Sequence, residues 1–164
     1  AEYFEPSGVG ADLISVPASG PRNTAVVHYG PNASLTVRTA LTEGVASVSM
    51  VFLLKGGAAP ITFTGRLVTF EAGGGRDERE ATWDSSIIEN KRARTERIPF
   101  SAELKAPDPM VPGKTEGIVR VGLYQSSLVV PRHLQETREF RLIIPAVTGG
   151  QPVTLTFVRR SGKS

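Results

Sequence analysis

A chain of 164 residues suits one domain with a substantial core, since roughly 70% of the unfolded chain's surface becomes buried at this size. The absence of cysteine excludes a disulfide framework, a thiolate metal site and a thiol nucleophile. The net charge of +3 equals the charge of Arg159, Arg160 and Lys163 alone, so the body is neutral and lacks the uncompensated basic stripe of a dedicated nucleic-acid binder.

Residues 1–23 show no sustained period of either kind. Pro6, Ser7, Gly8, Gly10, Pro17, Ser19, Gly20 and Pro21 read as an extended N-terminal arm, acidic through Glu2, Glu5 and Asp12. Apolar side chains are nevertheless spaced along it: Tyr3, Phe4, Val9, Leu13, Ile14 and Val16. A disordered tail is poorer in such residues, so these six are expected to dock on a neighbouring subunit.

A period of two begins at Thr24. Residues 24–29 are β-branched and stop at Gly30-Pro31. Residues 34–41 put Leu35, Val37, Thr39 and Leu41 on one face, and residues 45–54 do the same with Val48, Met50, Phe52 and Leu54. Residues 61–70 read as one strand with Ile61, Phe63 and Leu67 together. These patterns predict half-buried antiparallel strands.

The centre of the chain is less regular. Gly73-Gly74-Gly75 reads as a strand-to-strand connection, because the Lys-Ser/Thr and helix of a phosphate loop do not follow. Residues 76–97 carry six acids and six bases, which predicts a solvated mixed-sign loop rather than a basic patch. Within it, residues 80–83 suit a short strand, and residues 85–94 a short helix capped by Asp84 or Ser85.

Alternation returns over residues 97–104, pauses at the proline-rich stretch 106–113, and resumes over 117–124 and 128–130. Residues 137–144 place Phe140, Leu142 and Ile144 on one face, and residues 152–158 place Val153, Leu155 and Phe157. Eight to ten strands without a long helix or βαβ alternation predict an all-β fold, an antiparallel sandwich of the jelly-roll kind. The expected organisation is an arm over 1–23, a sandwich over 24–158 and a basic tail over 159–164.

No constellation in the chain reaches a catalytic or metal signature. His28 lies in an apolar strand, and His133 with Glu136 has a helical spacing in a stretch that Pro131 opens and a strand follows. There is no G-x-S-x-G elbow for a serine nucleophile. Glu103, Glu116 and Glu139 fall on the exposed phase of strands or in loops, where paired carboxylates lack an apolar cleft. Lys91, Arg92, Arg94 and Arg97 alternate with Glu89 and Glu96 and have no aromatic residue between them for stacking bases. Asn32-Ala33-Ser34 matches the glycosylation sequon, which has meaning only in a secreted chain. Trp83, the single tryptophan, suits a core plug between sheets or an anchor for a partner.

An extended arm, a neutral β body and no catalytic residues resemble, in architecture, a viral shell or phage head-decoration subunit. The expectation is a non-catalytic structural protein of a virion without cofactor, metal or small-molecule substrate. Its partners would be copies of itself or another shell subunit. Nucleic-acid contact is expected to be minor and confined to Arg159, Arg160 and Lys163. Apolar runs such as residues 49–54 are too short to span a bilayer, so no membrane partner is expected. The competing reading is a periplasmic or secreted sandwich that binds peptide or carbohydrate through Trp83 and residues 76–97.

Overall fold

A computed structural model describes residues 1–7, 14–15, 20–55, 61–62, 67–89, 92–99, 103–104, 121–147 and 150–162. The strands in chain order are β1 (Glu2–Ser7), β2 (Ile14–Ser15), β3 (Thr24–His28), β4 (Ala33–Thr42), β5 (Val45–Lys55), β6 (Ile61–Thr62) and β7 (Leu67–Ala72). They continue with β8 (Gly75–Glu80), β9 (Thr82–Glu89), β10 (Arg92–Pro99), β11 (Glu103–Leu104), β12 (Val121–Val129), β13 (Glu139–Ile144) and β14 (Val153–Ser161). One 3-10 turn, Arg132–Leu134, joins β12 to β13. Among the described residues no helix is long and apolar enough to cross a membrane.

The strands form two main antiparallel sheets. The smaller has the order β1-β14-β13-β7-β8, and the larger β10-β9-β12-β5-β4-β3-β2. β6 and β11 pair separately. One apolar core joins the main sheets: Phe4, Val68, Phe70, Phe140, Leu142 and Phe157 from the smaller meet Val27, Leu35, Val37, Met50, Phe52 and Trp83 from the larger. Phe140 lies 4.9 Å from Phe4 edge-on and 5.3 Å from Phe157 in a stack. The all-β sandwich expected from the alternation is therefore present, with the predicted inward faces of β4, β5, β13 and β14.

Turn chemistry sets the hairpin registers. Glu43 (φ 52°) and Gly44 (φ 79°) both take left-handed backbone between β4 and β5. Two such central residues are the mark of a two-residue type I′ turn, whose twist matches the flanking strands. Gly73 and Gly74 join β7 to β8, with Ala72 opposite Gly75, as a strand-to-strand connection should.

Four expectations are corrected. The segment 85–94 is no helix: β9 and β10 form a hairpin there, with Ile87 opposite Arg94. The charge run 76–80 is an edge strand, β8, rather than a loop; charged side chains keep such an edge from pairing with another chain. The stretch 61–70 is split, β6 and β7 belong to different sheets, and β7 turns Val68 and Phe70 inward and Leu67 outward. Residues 121–129 run as one strand, because Ser126 occupies an inward position opposite Met50 despite its polarity.

The larger revision concerns both ends. Glu2–Ser7 is the edge strand of the smaller sheet, paired with β14 from Glu2 opposite Ser161 to Ser7 opposite Thr156. Tyr3 and Phe4, expected on a neighbour, are buried in this chain, with Phe4 only 1% exposed. The expected basic tail begins inside β14, which carries Arg159 and Arg160. Val9, Leu13, Val16 and Lys163 lie outside the described residues, and Ile14 pairs with Val27 in β2.

Candidate interaction faces

A β-sandwich has two outer faces, each made by the polar phase of its strands. In this protein the two differ in chemistry. On the smaller sheet, the row Arg141, Glu71, Arg76 crosses β13, β7 and β8. Glu71 lies 3.4 Å from Arg141 and 3.5 Å from Arg76. Arg141 also approaches Glu139 at 3.7 Å, and Arg160 pairs with Glu5 at 3.1 Å. Glu78 and Glu80 extend the charges along the β8 edge. Exposed pairs of this kind contribute about 0–1 kcal/mol each. They keep the face hydrated more than they hold it together.

The outer face of the larger sheet is built differently. One row runs Val26, Thr36, Val51, Gln125 across β3, β4, β5 and β12. The next rows pair Ser34 with Leu53, and Arg38 with Ser49 and Ser127. At the end near the β4–β5 turn come Ala40, Ser47 and Val129, then Thr42 and Val45. Among the described side chains of these four strands, Arg38 is the one permanent charge, and its Nε donates to the Thr24 hydroxyl at 3.3 Å. Val45 and Val129, 50% and 60% exposed, both belong to this face. None of the described strands packs across it.

A depression of about 690 Å³ adjoins Val45 and Val129, lined by Gly44, Val130, Arg132, His133, Gln135 and Glu136. Its central polar group is committed to the fold. Gln135 accepts from the Ala46 amide at 2.5 Å, donates to the Ala46 carbonyl at 3.3 Å, and also donates to the Val130 carbonyl. Arg159 secures the same turn from β14, donating to the carbonyls of Gln135 at 2.5 Å and Thr137 at 3.3 Å. Its other nitrogen reaches Glu2 at 2.8 Å, and its guanidinium sits 4.8 Å from the centre of the Phe4 ring. The depression has a mixed rim, and its lining residues include no serine, threonine, cysteine or lysine.

The residues singled out in sequence are dispersed. His28 is exposed at the end of β3, and His133 lies 4.0 Å from Asp77, with Glu136 exposed beyond it. The described residues contain no group of three His, Cys, Asp or Glu able to hold a metal ion. Trp83 is buried between the sheets, 5.0 Å from Phe52, as a core plug. Arg159 and Arg160 face Glu2 and Glu5 of the same chain, so the acidic and basic ends pair within one molecule. Glu139 pairs with Arg141, while Glu116 and Lys91 lie outside the described residues.

The asymmetry of the faces escapes a reading that sorts residues only into apolar and polar. Its signal is the identity of the polar phase: Glu and Arg in β7, β8 and β13, Ser and Thr in β4 and β5. Compared with known proteins, the chain matches no family model, no curated protein and no solved structure.

Proposed function

We propose that this protein is a non-catalytic structural subunit of a larger protein assembly, of the kind that builds or decorates a viral or phage shell. The observation that carries this reading is the difference between the outer faces: one is laced with charge, while on the other the described side chains of β3, β4, β5 and β12 include one permanent charge, Arg38, together with exposed Val45 and Val129. Interface cores are depleted of charge relative to the rest of a protein surface. Val45 and Val129 stand near one end of this face, while the third exposed large apolar side chain, Leu67, stands on the smaller sheet.

On this reading docking uses the larger sheet rather than the N-terminal segment, whose Tyr3 and Phe4 serve this chain's own core. The engagement of Arg159 and Arg160 with Glu2 and Glu5 supports a minor role for nucleic acid. Native mass spectrometry from low micromolar to several hundred micromolar chain tests the reading. Discrete oligomers, or shells with a partner subunit, support it; a monomer that joins no assembly under any condition overturns it.

The depression beside Val45 and Val129 favours a second reading, a sandwich that binds a short peptide or a carbohydrate. Ligand-observed NMR with a peptide and glycan panel distinguishes the two. Saturable binding lost in Val129→Lys selects the binding module.

A further inference from the structure

We infer that a second copy of this chain seats on the outer face of the larger sheet, larger sheet against larger sheet about a twofold axis. The inference rests on the assembly reading and specifies its contact. Strand addition at the edges is the other route by which β proteins associate, and each edge of the two main sheets opposes it. On β1, the Phe4 carbonyl turned away from β14 is occupied by the Thr39 hydroxyl at 2.8 Å, and Pro6, in the same phase, has no N–H to offer. β8 carries five charges in six residues, β10 ends in Pro99 after three arginines, and β2 is two residues long. Association is thereby directed to a face.

The face then selects its partner. Over β3, β4, β5 and β12 its described side chains carry one permanent charge, Arg38, with which to complement a charged surface, and the charged outer face of the smaller sheet has no counterpart on these four strands. The same four-strand patch on a second copy is pleated and equally poor in charge among its described side chains, and a twofold contact requires a self-complementary patch. Stacked sheets pack about 10 Å apart when side chains interdigitate, which the Ser, Thr and Val rows allow. Three strands over nine residues and β3 over its five, at about 4.8 Å spacing and about 3.3 Å per residue, give a footprint of roughly 500 Å². Two such faces remove about 1,000 Å², at the lower bound for a specific interface. The contact is therefore weak and reversible, as suits a subunit that makes several contacts in one assembly.

Sedimentation equilibrium of the full chain tests the inference, with Val51→Lys and Gln125→Lys on the proposed face and Thr154→Lys on the opposite one. Gln125 and Thr154 are exposed, so these two variants keep the fold if Val51→Lys does not. Wild-type chain should dimerise with an affinity that added salt does not weaken, since the described side chains of the four strands offer one permanent charge, Arg38. Either substitution on the face should weaken dimerisation by about tenfold or more through an unpaired buried charge, and Thr154→Lys should leave it unchanged. Self-association that survives Gln125→Lys overturns this face and leaves the assembly reading standing. A wild-type chain monomeric at several hundred micromolar overturns the self-contact; the assembly reading then stands or falls on recruitment by an unlike partner.

Discussion

The Thr39 hydroxyl on β4 donates a buried 2.8 Å hydrogen bond to the carbonyl of Phe4 on β1, joining the two sheets through residues 35 positions apart. Thr39 stands at an inward position of its strand, between the apolar Val37 and Leu41. Alone there, a hydroxyl is a burden. Opposite the one outward carbonyl of an edge strand that would otherwise be buried and unsatisfied, it completes the core. Thr39→Val should destabilise the fold by about 1–3 kcal/mol, because it leaves the Phe4 carbonyl without a donor. Thr39→Ser should retain most of the stability. Urea unfolding of both variants measures the difference.

The N-terminal strand is part of the sandwich. Phe4→Ala removes a ring in contact with Phe140 and beneath Arg159, and should cost about 3–5 kcal/mol. A chain lacking residues 2–7 should lose cooperative unfolding or melt far below the intact protein. A truncated chain with unchanged thermal unfolding would show that β1 is dispensable.

Arg159 links β1, β14 and the turn after β12 by side-chain hydrogen bonds to Glu2 and the carbonyls of Gln135 and Thr137. Arg159→Met keeps the aliphatic stem but leaves those carbonyls without the guanidinium. It should cost about 2–3 kcal/mol. Glu2→Gln, at the exposed end of the same network, should cost less than about 1 kcal/mol. Chemical denaturation that ranks the two equally would place the value of Arg159 in its ion pair rather than in the turn.

Burial pushes the Tyr29 hydroxyl well above the ordinary tyrosine range. No described residue accepts its hydrogen bond, while its ring packs 5.6 Å from Phe52. Below about pH 10 the phenol is protonated in both folded and unfolded chains, so it adds no pH dependence. Above that pH the unfolded chain releases the proton and the folded chain retains it. Stability should therefore fall as pH rises, by up to about 1.4 kcal/mol per unit from this group. Tyr29→Phe should remove that component and match or exceed wild-type stability at neutral pH. Urea titrations between roughly pH 9 and 11 check the slope.

The legibility of this fold followed the range of the interactions. Strands whose partners are adjacent in sequence were readable: Val48, Met50, Phe52 and Leu54 alternate with smaller or half-exposed neighbours, and each is fully buried. Gly73-Gly74 announced its own turn. Where the pairing partner was remote, local pattern misled. Glu2–Ser7 has a proline and two glutamates and looks like a free arm; its partner, β14, lies at the opposite end of the sequence. Residues 76–80 look like a loop and residues 85–94 like a short helix because charges suit an edge strand as well as a solvated segment.

By itself, the sequence determined the class of the fold and the inward phase of its best strands. A period of two dictates which side chains leave water regardless of the neighbouring strand. It also determined that no thiol chemistry is available, with no cysteine in the chain, and that imidazole comes from two residues, His28 and His133. Tertiary structure alone decided that the two ends of the chain meet through Glu2–Arg159 and Glu5–Arg160. It alone put β7, β8 and β13, with their Glu and Arg, into one sheet and β4 and β5, with their Ser and Thr, into the other. Sheet membership is settled by long-range backbone pairing and core packing, which leave no periodic trace in the chain and yet decide what the surface offers a partner.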